Sequence, residues 1–311
     1  MEITFNNKKV EHKAKFINQQ VSLIESEHSE RLIVVCEQEG VKTVRDFVEY
    51  MSMFIGDDIL ITEGKDYLLS ISITTLNDML NMLDYDGYSI PKSIQIPNFF
   101  AKILTSPDYD DYIRHFGWDR ENLTKLIIDY SDSNSYCILN KDEMDELDVH
   151  DMMNHIKLSF KFVADRYTHS IFASVADTCD SWDNIVKDAF IIPEEFIPCS
   201  VKLEMWKKMC QMSLDTYYKC IEELGSGSVA NNVLPNNVAT SFYMSGTIAE
   251  YVSMLERLRQ LDVKNNLTQS ANMSTTMKEW MFFLSDYDYL EPLKVAMDKL
   301  VESFNEERLP F

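Results

Sequence analysis

Residues 229–259 read VANNVLPNNVATSFYMSGTIAEYVSMLERLR. The stretch holds a turn at Leu234 and Pro235 and a Thr-aromatic run from Thr240 to Tyr243. A helical segment follows with Ile248, Tyr251, Val252, Leu255 and Leu258 on one side. That spacing of three and four residues marks a helix that buries one stripe. The helix carries two arginines near its end, Arg257 and Arg259. The segment contains no Gly-rich phosphate loop, no metal-ligand spacing and no nucleophile beside a base. It has the layout of a frame for a site rather than the chemistry of one.

Upstream, Ser200 reads as the cap of a long helix with Val201, Met205, Met209, Met212, Tyr217, Ile221 and Leu224 along its buried stripe. Gly225 ends it. These methionines read as core fillers rather than ligands, and the GSGS run at 225–228 reads as a helix stop rather than a phosphate contact. Ile191-Ile192-Pro193 and Phe196-Ile197-Pro198 form an irregular bridge. A helix is expected over 166–177. Over 156–163 a strand is expected, with Ile156, Leu158, Phe160 and Phe162 on one face and Lys157, Ser159 and Lys161 on the other. Residues 142–155 read as a helix, 136–139 as a strand, and 123–128 as either.

The N-terminal part changes period several times. Residues 32–36, 59–61 and 67–73 read as strands, Gly40 as a turn, and Thr43 as the cap of a helix through Met53; 76–83 read as a short helix. Pro91, Pro97 and Pro107 mark a connection. The expected organisation is therefore α+β, with a small α+β module of unknown role at 1–115 and a second domain at 116–311.

Bulk properties exclude several classes. The chain has 311 residues, 45% hydrophobic and 26% charged, with a net charge of -22. That sign argues against general nucleic-acid affinity, which needs clustered Lys and Arg. No stretch has the unbroken apolar length of a membrane span, and MEITFNNKKVEHK lacks a signal-peptide core. The expected place is the cytoplasm. Six cysteines without CxxC spacing read as reduced thiols. Acidic runs at 108–111 and 142–146 read as solvated faces, since neither has the glycine and terminal glutamate of a calcium loop. His150, His155, His169 and Cys179 show no zinc-motif spacing, so no metal site is expected.

The order of elements carries a resemblance. His155-Ile156, Phe160, a Ser-containing segment, Ile192-Pro193, a long helix ending in glycine, and VANNVLPNNVATSFYMSG before a helix together resemble the flavin-dependent thymidylate synthases. The likeness spans roughly the last 190 residues. Aligned on Ser174, the family signature RHRxxSxNExSxRY falls on 169–182. Ser174 is kept, Asp177 stands for the glutamate and Trp182 for the tyrosine, while Leu234-Pro235 and Thr240 are kept further on. The resemblance implies binding of FAD and dUMP, both anionic, between the subunits of a homotetramer. It points to His155, Ser174, Asp177 and Arg259 as cofactor-binding positions. Helix 248–258 and the uncharged run 241–244 are the expected subunit interface.

The departures bear on activity. The signature arginines fall on His169, Ile171 and Ser181. The arginine before Leu-Pro falls on Asn231, the Asn and Arg of NxRSL on Thr247 and Ala249, and AQxEIR on 264–269 with nothing recognisable. One helix arginine survives, as Arg257 or Arg259. Phosphates are held by charge-assisted hydrogen bonds that neutral residues forfeit. The expectation is a divergent relative without the usual activity, with no catalytic residue assigned, acting as a structural, regulatory or binding subunit. FAD is the implied cofactor only if the family activity is retained. The other readings are an active FAD-dependent enzyme modifying a pyrimidine deoxynucleotide at C5, including dUMP to dTMP, and an unrelated role carried by the N-terminal module. The Asn/Asp/Lys/Ile-rich composition suggests a viral genome, which would place the protein in a host cytoplasm.

Overall fold

The computed structural model describes residues 12–26, 31–55, 59–63, 66–85, 90–110, 113, 116–140, 142–143, 146–176, 180–193, 196–225, 227–265, 271–284 and 290–306. In chain order the strands are β1 (Lys15–Ile17), β2 (Gln20–Ser26), β3 (Arg31–Cys36), β4 (Ile59–Glu63), β5 (Tyr67–Ser72), β6 (Tyr136–Ile138), β7 (Lys157–Asp165), β8 (Asp180–Ile191) and β9 (Val238–Thr247). The helices are α1 (Gln38–Ser52), α2 (Ile73–Asp84), α3 (Phe99–Thr105), α4 (Arg120–Tyr130), α5 (Val149–His155), α6 (Arg166–Val175), α7 (Ser200–Leu224), α8 (Gly227–Ala230), α9 (Ile248–Asn265), α10 (Ala271–Leu284) and α11 (Glu291–Glu306). The α+β class expected from the sequence holds. The chain divides into two compact units, Ser26–Lys157 and the pair Met1–Glu25 with Leu158–Phe311.

The first unit is built on an antiparallel sheet in the order β4-β5-β3-β6. Its central strand β3 is apolar almost throughout because both its faces are covered. Leu32, Val34 and Cys36 join Val44, Phe47, Leu76, Leu80, Phe99 and Ile103 from the helices in one core. Ile33 packs on the opposite side with Leu68, Leu139 and Leu147. Ser72 caps α2, its Oγ accepting from the Thr75 amide at 3.1 Å. Segment 123–128 lies within the helix α4, which is capped by Asp119.

Two expectations change here. Gly40 is not a turn: α1 starts at Gln38 and Thr43 lies inside it, its hydroxyl donating to the Glu39 carbonyl at 3.4 Å. A Cβ on Gly40 would stand 3.1 Å from the Cys36 Cβ and from the Tyr136 ring. The glycine therefore serves close packing. The division at 115/116 also moves. Leu123, Ile127 and Tyr136 share the core of residues N-terminal to that point, and Lys102 Nζ donates to the Tyr136 carbonyl at 2.9 Å. The prolines thus mark connections within a unit.

The second unit holds a sheet in the order β1-β8-β9-β7-β2. Strand β7 follows the expected alternation, with Leu158, Phe160, Phe162 and Ala164 buried. Phe162 stacks on Phe242 with centroids 5.0 Å apart and an 11° interplanar angle. Trp280 meets Phe160 and Phe162 edge-on at 5.2 Å each, and Tyr251 at 5.6 Å. Thr247 and Glu250 cap the start of α9 reciprocally, each accepting from the other's amide.

Strand β8 escaped the sequence reading. Its charged residues Asp183, Lys187 and Asp188 break the apolar pattern. Its pairing with β9 also shifts register between Ile185 and Phe190. Asp188 sits there at φ 60°, a conformation short polar side chains tolerate. Tyr218 donates to its carboxylate at 2.5 Å, and His12 Nδ1 lies 3.7 Å from it. On the other side of β8, strand β1 pairs with it in parallel, Phe16 opposite Phe190.

Helix α7 reverses its expected orientation. Trp206, Cys210 and Leu214 face inward onto Phe190, Leu234 and Val238. Most of the stripe taken for core is outside: Val201 is 68% exposed, Met205 63%, Met209 65%, Met212 68% and Leu224 58%, whereas Tyr217 packs against the inner cluster. The helix carries two apolar stripes, and the one with the tryptophan takes the sheet. Conversely, the expected interface elements are interior, with Ile248, Tyr251, Leu255, Leu258, Phe242 and Met244 all buried. Helix α6 ends at Val175 and α5 begins only at Val149; residues 141, 144 and 145 beside or within the longer expected helix lie outside the described set.

Phe162→Ala should lower unfolding free energy by about 3–5 kcal/mol, read from urea midpoints. A chain beginning at residue 116 would expose Leu123, Ile127 and Tyr136. It should aggregate or unfold with a broad transition, whereas a sharp two-state transition would restore the division at 115/116.

Candidate functional site

The residues aligned with the family signature fall on α6 and the strand after it. Asp165 caps α6, accepting from the Thr168 amide at 2.8 Å and from its hydroxyl at 3.2 Å. His169 lies against Phe242, ring centroids 4.7 Å apart. Ile171 is buried at 8% exposure. Ser174 turns its hydroxyl back to the Ile171 carbonyl at 2.7 Å, the local bond that helical serines favour. Asp177 and Cys179, and the side chains of Ser181 and Trp182, lie outside the described residues.

Both candidates for the surviving arginine have partners within the fold. Arg257 donates to the Val175 carbonyl at 3.1 Å, placing a cation at the C-terminus of α6 where the helix dipole favours it. Arg259 is exposed and pairs with Glu256 at 3.4 Å, one turn back on the same helix. Arg166, a newcomer at the first position of α6, donates to the Asn231 carbonyl at 3.3 Å. Lys161 lies 5.4 Å over the Tyr243 ring, and beside it the hydroxyls of Ser159 and Ser245 are 2.6 Å apart. Thr240 is 1% exposed, and its hydroxyl has no hydrogen-bond partner among the described residues.

His155 lies in the other unit, at the end of α5 and 2% exposed. Its Nδ1 is 3.0 Å from Ser70 Oγ and its Nε2 contacts Thr62 Oγ1. Arg31, itself 1% exposed, donates from Nε to Ser70 Oγ at 3.1 Å and from a terminal nitrogen to the Ser70 carbonyl at 3.0 Å. Ser70 Oγ accepts from Arg31, so its own proton points to His155 Nδ1. The network thus assigns a neutral ring with the proton on Nε2. Burial, reinforced by the Arg31 charge, brings the His155 pKa down to about 4. Sequence reasoning missed Arg31, Thr62 and Ser70; a serine among the apolar residues of YLLSIS was the one available signal. Among the described residues no group of three His, Cys, Asp or Glu side chains is placed to hold a metal ion. No described helix is long and apolar enough to cross a membrane.

Residues 138–281 match the model of the family described as Thymidylate synthase complementing protein. This is the flavin-dependent thymidylate synthase family that the sequence resembles. The match runs from β6 into α10. No curated protein matches the chain. Among solved structures, a UMP/dUMP methylase, PolB from Streptomyces cacaoi bound with 5-Br dUMP, aligns at 12% identity and a TM-score of 0.30. The alignment covers 32% of this chain and 53% of that one, so the chain spans about half the length of that structure. At that similarity nothing is transferred from it.

The family cofactor, FAD, does not fit the described residues at the aligned positions. A pyrophosphate needs cations or aimed amides. Here the positions hold a ring against Phe242, a buried isoleucine, a turn carbonyl already bound by Arg166, and a threonine that caps α9.

The pKa of His155 is depressed from its ordinary 6.5, so the unfolded chain binds more protons between pH 6.5 and 4. Its contribution to stability is complete above pH 6.5 and is lost as pH falls through that window. Relative to His155→Gln, the wild type should lose about 2–3 kcal/mol between pH 7 and 4.5 in urea titrations; parallel pH curves would show that His155 is not the source. Thr240→Val should leave stability unchanged or raise it, because the hydroxyl is buried without a partner. A loss above about 1 kcal/mol would reveal a bond to that hydroxyl.

Proposed function

We propose that the family-matched segment retains a flavin-dependent thymidylate synthase frame without the usual activity, and that the chain acts as a structural, regulatory or binding subunit within a homo-oligomer. The observation that carries this reading is the commitment of Arg257 to the Val175 carbonyl and of Arg259 to Glu256. Arg257 is engaged by the fold, and Arg259 makes only an exposed pair with a neighbour on its own helix. Ser174, bonded back to its own helix, and His155, neutral among Arg31, Ser70 and Thr62, support the same reading. In the family the flavin carries the chemistry and the protein supplies positioning and electrostatics. Removing one charge-assisted hydrogen bond costs about 1.5–3 kcal/mol, so removing several weakens anion binding by orders of magnitude.

One observation favours a second reading, an active enzyme with a rebuilt site acting on a pyrimidine deoxynucleotide at C5. Arg166 reaches the backbone of Asn231, the position where the family has an arginine. Its guanidinium could replace that charge from a different helix. A cleft of about 910 Å³ in the unit Ser26–Lys157 has Asn81, Asp84, Asp119 and Asn122 in its lining. There Asp119 caps α4 and Asn81 accepts from Trp118.

Calorimetric titration with FAD, with and without dUMP, and tritium release from labelled dUMP separate the readings. The expected result is a colourless protein, FAD binding weaker than about 100 μM, and no release above background. Micromolar FAD binding with turnover that Arg166→Ala abolishes would establish the rebuilt site instead.

A further inference from the structure

We infer that the outward stripe of α7 is a docking surface for a second copy of this chain, paired antiparallel about a two-fold axis near the middle of the helix. The inference deepens the homo-oligomer proposed above by naming its contact. It rests on that part of the reading alone, not on nucleotide binding.

The stripe is unusual for a surface. Val201, Met205, Met209 and Met212 recur at helical spacing and are each more than 60% exposed, and Ile197 and Leu224 flank them at 56% and 58%. The opposite face of α7 already packs on the sheet through Trp206, Cys210 and Leu214. Side chains of this size and exposure offer on the order of 100 Å² each, about 600 Å² per copy and roughly 1,200 Å² for a pair. That reaches the lower end of stable interfaces. Unbranched methionines suit such a seam because they adapt to a facing copy of themselves.

Charge selects the partner and its direction. The first half of α7, residues 200–212, carries Lys202, Lys207 and Lys208 against Glu204. The second half, 213–224, carries Asp215, Glu222 and Glu223 against Lys219. A two-fold pairing places each half of one helix on the other half of its partner. Antiparallel copies therefore set the basic half on the acidic half, whereas parallel copies would set like on like. With the axis between residues 210 and 211, Met209 faces Met212, Met205 faces Thr216, and Val201 faces Cys220 of the second copy. These three facing pairs are uncharged, while the same axis sets Lys202 opposite Lys219. Cys220 is a free thiol, half-buried.

The test uses the full chain. Sedimentation equilibrium at about 20 μM should give a mass of at least twice 36.2 kDa. Met209→Glu with Met212→Glu should raise the dissociation constant of this contact by at least about a hundredfold, because the two-fold repeats each charge. The circular-dichroism melt should stay unchanged, since both positions are exposed. As a second readout, Val201→Cys should form an intermolecular disulfide under mild oxidation, and adding Cys220→Ser should abolish it. Within one α7 the two positions lie about 28 Å apart and cannot join. A parallel arrangement would join the two introduced thiols to each other and ignore Cys220→Ser, which overturns the proposal. A wild type at monomer mass overturns both this surface and the oligomer. A wild-type oligomer that survives the glutamates overturns the surface and leaves the oligomer standing. Neither outcome depends on the flavin titration.

Discussion

The stack of Phe162 on Phe242 ties two neighbouring strands, β7 and β9, to one register. A slip of one residue would turn either ring to the opposite face. Phe172 on α6 touches both rings, and Trp280 on α10 closes over Phe160, Phe162 and Phe172. Tyr251 on α9 reaches through the same cluster to donate to the Met244 and Leu158 carbonyls. Three helices are thus positioned by one aromatic face. His169, on α6, also rests on Phe242, so the residue aligned with the first signature arginine has become part of the packing.

That exchange explains the site as a whole. A cation aimed at a phosphate must stay in water or against its ligand. A ring, a cap or a helix-terminal arginine is stabilised by the protein itself. The described positions aligned with the signature hold residues of the second kind. Thr247, aligned with the family asparagine, now caps α9 together with Glu250. Phe160, Phe162, Leu234 and Thr240 are held by the core, independently of whether anything binds.

Much of this was legible where a single period ran uninterrupted. The alternation of β7, the stripe of α9 and the glycine stop of α7 at φ +64° are all local signals. What failed needed tertiary information. Strand β8 hid behind a register shift and an aspartate at positive φ. Helix α7 presents two apolar stripes, and a one-dimensional pattern does not say which meets the sheet. Gly40 looked like punctuation because its reason, the Tyr136 ring, lies far along the chain. The surroundings of His155 were hidden for the same reason: Arg31, Thr62 and Ser70 come from three strands.

The parallel pairing of β1 with β8 bears on how the chain reaches its fold during synthesis. Phe16 leaves the ribosome early, yet its partner Phe190 emerges only after the whole of Ser26–Lys157. That intervening unit contains its own core and sheet, so it completes first, while the opening strands wait with open edges. Closing the five-stranded sheet is then a late, long-range event of the slow kind. The side chain of Gln211, which holds both the His12 carbonyl and the Ala14 amide at 2.9 Å, ties the segment entering β1 to α7 in the finished fold.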